Sequence, residues 1–134
     1  IEVERFVTQH KLTKYQFNSY FPPVTIQVQR GAIAAQELKV FDEYFDCVIC
    51  AMWENNKNIS DINVLQEILE EKGFDTKAIM EIITSQECKD KLIANTDNAV
   101  SRGAFGAPTF FFDEQIFFGK DHLYQLEEYI NSKK

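Results

Sequence analysis

Three segments carry residue types at spacings that chemistry could use. Cys47-Val48-Ile49-Cys50 has the C-x-x-C spacing of a redox pair. Such a pair needs its first Cys at a helix N-terminus, where the dipole lowers the thiol pKa. The apolar stripe on both sides of this motif places it instead about ten residues inside a helix, where two Cys at i and i+3 share a face as small hydrophobes. Zinc is not expected, because there is no second Cys pair and the two His are distant. Cys88 falls in the first turn of a helix and could be mildly activated, with only Lys89 and Lys91 as nearby cations. There is no Gly-rich phosphate loop and no Ser/His/Asp constellation.

The third segment is Gly103-Ala104-Phe105-Gly106-Ala107-Pro108-Thr109. Pro108 stands where a strand begins, the strand position at which a missing N–H costs least. It has two readings: a trans proline starting a strand, or a cis proline that turns the Ala107 backbone outward to hold an extended, peptide-like ligand. Local chemistry does not separate them. Gly106 and Ala107 are small, so another molecule could approach the backbone there.

The elements that must position these residues follow from periodicity. Val3, Phe6 and Val7 predict a short helix over Glu2–Gln9, and residues 12–20 read as an extended connector. Phe21-Pro22-Pro23 opens a helix near Pro23 that runs to about Gln36, with Gly31 an unfavourable residue in its middle. The clearest helix carries Leu38, Phe41, Tyr44, Phe45, Val48, Ile49, Met52 and Trp53 in one wide apolar stripe. Ser60 is placed as N-cap of the next, with Asp61 in its first turn, and Gly73 closes it. Asp75 or Thr76 caps a short helix, and Ser85 opens another that ends at Gly103. Phe110–Phe112 and Ile116–Phe118 form a hairpin across Asp113 and Glu114, and a last helix runs from Asp121. Trp53 reads as core and His10 as solvated.

Composition sets outer limits. A chain of 134 residues is one domain by length. Apolar content of 45% with 12 Phe indicates a packed core rather than disorder. The net charge of -7 argues against nucleic acid or an anionic membrane as partner. No window approaches the roughly 20 apolar residues of a membrane span, and no signal peptide is visible. Three Cys, an odd number in helical patterns, suit a reducing, cytoplasmic compartment. The hairpin is apolar on both faces, which calls for neighbouring strands that nothing upstream supplies. The expectation is therefore a C-terminal part of a larger α/β domain, or a sheet completed by another molecule.

Several blocks carry a family resemblance, in order along the chain. They are Phe21-Pro22-Pro23, Ala51-Met52-Trp53, Asn58-Ile59-Ser60-Asp61, Asn95-Thr96-Asp97-Asn98-Ala99, Arg102 through Phe110, and Phe118-Gly119-Lys120-Asp121. Together they resemble the 2-hydroxychromene-2-carboxylate isomerase and kappa-class glutathione transferase branch of the DsbA-like thioredoxin superfamily. The resemblance covers essentially the whole chain but only the later two-thirds of the family domain. It implies an α/β fold: residues 1–103 a helical insertion, or lid, and residues 104–134 the C-terminal half of a thioredoxin fold with a cis-Pro loop, hairpin and helix. The family's opening strand-helix-strand segment, with its catalytic Ser or Cys, has no counterpart here. No catalytic residue is therefore expected in this chain, and it is expected to be inactive alone.

The resemblance also implies a glutathione site. Ala107, before Pro108, would pair its backbone with the cysteinyl unit, while Lys120 and Asp121 would hold the γ-glutamyl end. His122 stands where the family often has Arg, which weakens a cationic contact from that position at neutral pH. Asp121 would also serve as helix N-cap. The function implied is a glutathione-dependent isomerase or transferase acting through a glutathione thiolate on a small electrophilic or aromatic substrate, in a homo-oligomer, commonly a dimer. A DsbA-like thiol-disulfide oxidoreductase and a non-catalytic binding or assembly domain remain the alternatives.

Overall fold

A computed structural model describes residues 2–134 and, among them, seven α-helices and one two-stranded antiparallel sheet. The helices are α1 (Glu2–Gln9), α2 (Ile26–Glu37), α3 (Phe41–Trp53), α4 (Ile62–Glu71), α5 (Thr76–Thr84), α6 (Gln86–Ser101) and α7 (Leu123–Ser132). The strands are β1 (Thr109–Phe112) and β2 (Gln115–Phe118). The chain forms two compact units that divide between Leu92 and Ile93, within α6. No helix among the described residues is long and apolar enough to cross a membrane.

In the first unit, α2, α3, α4 and α5 share one core. The buried face of α3 is Tyr44, Cys47, Val48, Ala51 and Met52, an i, i+3, i+4, i+7, i+8 stripe. Leu65, Ile68 and Leu69 of α4 and Ile79 and Ile83 of α5 meet it, with Ala34 and Ala35 of α2. The stripe is narrower than the sequence suggests. Phe45 and Ile49 point away from the core and are exposed, and Leu38 is the C-cap of α2 rather than part of α3.

Two helix starts differ from expectation for one shared reason. The Ser60 hydroxyl accepts a hydrogen bond from the Val24 amide at 2.8 Å. That bond holds Val24 in the loop, so α2 begins at Ile26 rather than near Pro23. It also occupies Ser60, and the cap of α4 passes to Asp61, whose carboxylate accepts from the Asn63 amide at 2.9 Å. Asp75 caps α5 by accepting from Ala78, and the Ser85 hydroxyl accepts from the Cys88 amide at the start of α6. An Asp61→Ala change should cost about 1 kcal/mol of stability in urea unfolding, the usual worth of such a cap. An unchanged midpoint would show that the Asn63 bond contributes nothing.

The connector before α2 closes the C-terminal end of α3. A helix leaves its last carbonyls without intrahelical partners. Here Asn18 Nδ2 donates to Met52 O and to Lys57 O, each at 2.9 Å, and the Gln16 amide donates to Trp53 O at 2.8 Å. The Gln16 side-chain amide donates to Glu54 O. Asn18 Oδ1 accepts from the Tyr20 amide at 2.8 Å, so both polar atoms of its side chain are used in a position that is 0% exposed.

In the second unit, the hairpin pairs Thr109 with Phe118 and Phe112 with Gln115. Asp113 takes the left-handed φ of +50° at the turn, a conformation Asp tolerates better than most residues. Alternation assigns the two apolar faces to different neighbours. Phe112 and Phe117 meet the Tyr129 ring of α7 at centroid distances of 5.9 and 6.0 Å. On the other face, the Arg102 guanidinium lies 4.0 Å from the Phe111 centroid, and Phe105 packs on Phe118 at 4.6 Å. Side chains therefore meet both faces, and no third strand is present among the described residues.

Candidate functional site: the proline loop and the turn before the last helix

The second unit contains all four residues expected to bind glutathione: Ala107, Pro108, Lys120 and Asp121. The Ala107–Pro108 peptide is cis, as is Phe21–Pro22. Pro108 O accepts from the Gly119 amide at 2.9 Å, just beyond the Thr109–Phe118 pair. This bond extends the hairpin ladder by one rung and sets the proline loop beside the turn that leads into α7. Ala107 is exposed, and its N–H and C=O make no hydrogen bond with the described residues. Thr109 Oγ1 donates to Gly106 O at 2.6 Å and fixes the loop from the other side.

Gly106 has a role beyond the one expected of it. A Cβ on it would lie 2.8 Å from Phe118 Cε2, so the ring of Phe118 occupies the space that its missing side chain leaves. The open backbone is that of Ala107. Asp121 departs from expectation. It is the middle residue of a 3-10 turn, Lys120–His122, and α7 begins only at Leu123, with His122 as N-cap and no side-chain cap bond. The Asp121 carboxylate instead meets Lys120 Nζ at 2.5 Å on an exposed surface. His122 Nδ1 lies 2.6 Å from Phe118 O, a contact that turns the imidazole back toward the hairpin. The loop and turn thus present an unpaired peptide edge beside one ammonium and one carboxylate.

The cysteines lack the helix N-terminal placement of a redox C-x-x-C pair. Cys47 and Cys50 are free and lie mid-way along α3. Burial pushes the Cys47 thiol up, with the Lys72 ammonium opposing it weakly. Cys88 is buried, its Sγ donates toward Arg30 O at 3.5 Å, and burial pushes its thiol up too. The mild activation expected from its helix position is overridden by desolvation. Among the described residues, no group of three or more His, Cys, Asp or Glu side chains is arranged to hold a metal ion.

Trp53 is the residue that sequence reasoning undervalued. It packs against the core of the first unit, yet it also stacks on Tyr15 at 5.8 Å and lies 6.2 Å from Phe21. Together with Tyr15, Lys11, Lys14 and Ile49 it lines an open cavity of about 350 Å³. The signal available was the aromatic run Tyr15, Phe17, Tyr20 and Phe21, which a solvated connector has no need to carry.

The DSBA-like thioredoxin domain matches residues 5–131, and the chain belongs to that family. Its fold is a DsbA-like thioredoxin fold, mostly helical, with a small C-terminal hairpin and a final helix. Among curated proteins it is 35% identical over 79 residues to 2-hydroxychromene-2-carboxylate isomerase from Sphingobium xenophagum, a match covering 59% of this chain and 40% of that one. It is 31% identical over 85 residues to the isomerase of the same name from Pseudomonas sp. (strain C18), covering 63% and 40%. The matches span about two-fifths of these relatives' length. Among solved structures, a 2-hydroxychromene-2-carboxylate isomerase superposes with a TM-score of 0.75 at 20% identity, over 98% of this chain and 63% of that one. The cytosolic disulfide reductase DsbM from Pseudomonas aeruginosa superposes with a TM-score of 0.64 at 17% identity, over 99% and 77%. At these identities the structural likenesses speak to fold alone.

Proposed function

We propose that the chain supplies the peptide-binding part of a glutathione-dependent isomerase or transferase akin to 2-hydroxychromene-2-carboxylate isomerase. In such an enzyme a glutathione thiolate adds to an electrophilic carbon of a small organic substrate. The observation that carries this reading is the Gly119-to-Pro108 hydrogen bond, which joins the open Ala107 edge and the Lys120–Asp121 pair in one site. Glutathione presents what such a site would take. Its cysteinyl unit is a peptide with one N–H and one C=O for Ala107, and its γ-glutamyl end bears a carboxylate for Lys120 and an ammonium for Asp121. Pro108 fixes the edge that reads the cysteinyl unit. The curated relatives support the choice of isomerase chemistry over disulfide exchange.

Titration of glutathione followed by calorimetry and amide NMR tests the reading. Resonances of Ala107, Thr109, Lys120 and Asp121 should move together, and Asp121→Ala should weaken binding about tenfold, the worth of one charge-assisted hydrogen bond. Equal affinity in the variant, or shifts confined to other residues, would overturn it.

A further inference from the structure

Cys50 opens onto a cavity of about 210 Å³ that neither the family resemblance nor the glutathione site uses. Its lining is Glu43, Asp46, Cys47, Cys50, Lys72 and Phe74. The first four recur at i, i+3, i+4 and i+7 along α3, so two carboxylates and two thiols share one face. Cys47 is 7% exposed, and its thiol makes no hydrogen bond with the described residues. Cys50 is only half-buried, so its sulfur is the one a solvent-borne reagent reaches. We propose that Cys50 is a site of reversible S-thiolation by small, amine-bearing disulfides, and that Cys47 cannot resolve the adduct.

The step is a thiol–disulfide exchange. The Cys50 thiolate attacks one sulfur of the reagent, a new Sγ–S bond forms and the reagent's S–S bond breaks. The departing thiolate leaves with the electron pair and takes up the proton that Cys50 gave to solvent. The reagent's disulfide is the only oxidant required. Charge selects the reagent: two carboxylates against one ammonium leave the cavity net negative, so a cationic tail is drawn in and an anionic one is repelled.

Resolution fails for two reasons. Burial pushes the Cys47 thiol up, so less of it is the nucleophilic thiolate. The helix also holds Cβ atoms three residues apart at about 5–6 Å, whereas a disulfide needs about 3.5–4.5 Å. An intrahelical bond would require α3 to deform where its stripe meets the core. The adduct therefore persists until an external thiol removes it.

The test compares cystamine with 3,3′-dithiodipropionate on the intact protein under native conditions, with intact mass and peptide mapping. One adduct is expected, on Cys50, formed several-fold faster with cystamine and removed by dithiothreitol. The Glu43→Gln/Asp46→Asn variant should lose that preference while keeping its circular dichroism spectrum. First modification at Cys88 or Cys47 would overturn the proposal. So would loss of two hydrogens without an adduct, the mark of a Cys47–Cys50 disulfide, or equal rates for the two reagents.

Discussion

Gly31→Ala should destabilise the first unit by about 3 kcal/mol, although it replaces glycine with the best helix former. By propensity alone the change would stabilise α2 by about 1 kcal/mol. The Tyr44 side chain reverses the sign. A Cβ at position 31 would overlap Tyr44 Oη and lie 2.7 Å from Cζ, far inside contact distance. Tyr44 has nowhere to go: it is 2% exposed, its hydroxyl donates to Val28 O at 2.8 Å, and its ring meets Phe74 edge-on. To admit the methyl group, the ring must leave the core or α2 must move off α3. The measurement is urea unfolding of wild type, Gly31→Ala, Tyr44→Phe and the double variant. Removing the hydroxyl relieves the shorter overlap but leaves the 2.7 Å one, so rescue should be partial. A Gly31→Ala protein as stable as wild type would mean that α2 and α3 are not packed through this contact.

Asn18→Ala should cost a similar amount, about 3 kcal/mol, by a different route. Three hydrogen bonds vanish at once and leave the carbonyls of Met52 and Lys57 and the amide of Tyr20 without their partner. A buried polar group stripped of its partner costs about 1–3 kcal/mol, and water entering the loop would recover part of it. Asn18→Asp sharpens the test because it keeps the shape and changes the chemistry. The introduced carboxylate can accept from Tyr20 but cannot donate to the two carbonyls. Burial and those carbonyls both disfavour its charged form and raise its folded-state pKa above the unfolded value of about 3.9. The folded protein then binds more protons than the unfolded one across that interval, so its stability falls as pH rises. Asn18→Asp should thus be clearly more stable at pH 4 than at pH 7 relative to wild type. A flat difference between the two proteins across that range would sink the account of Asn18 as a donor to the end of α3.

Asn18, together with Gln16, explains how the first unit holds its aromatic cluster. Asn18 and Gln16 pin the connector to the last turn of α3, which sets Tyr15, Phe17 and Phe21 around Trp53. Loss of the pin should therefore quench the environment of Trp53, and its fluorescence maximum should shift with the Asn18 variants. Phe17 and Phe21 stay exposed even so, which leaves the cluster a face open to solvent.

Much of the helical skeleton is legible from residues alone. The short helix over Glu2–Gln9, the cap at Asp75 or Thr76 (Asp75 in the structure), the Ser85 start of α6, the closing roles of Gly73 and Gly103 and the two-residue turn at Asp113 and Glu114 all lie where local chemistry places them. These are short-range effects: a side-chain oxygen reaching an amide a few residues on, or a φ that only a few residue types adopt. The interior position of Cys47 and Cys50 in a helix follows from periodicity in the same way. The family, too, was readable, because loop motifs such as the one around Pro108 keep their order along the chain.

Tertiary structure alone decided the rest. Ser60 would cap α4 if nothing else competed for its hydroxyl, but Val24, distant in sequence, takes it, and the cap moves to Asp61. Gly31 looks like a flaw until Tyr44 is laid across it, and at Gly106 the Phe118 ring fills the space a Cβ would take. Asp121 has the composition of an N-cap, yet Lys120 claims its carboxylate and the helix starts later. In each case a partner remote along the chain, or a charge beside it, outbids the local preference by about a kcal/mol or more, which is as much as any single cap or propensity supplies. Local patterns can therefore specify which elements form, but the atoms that meet across them depend on three-dimensional packing.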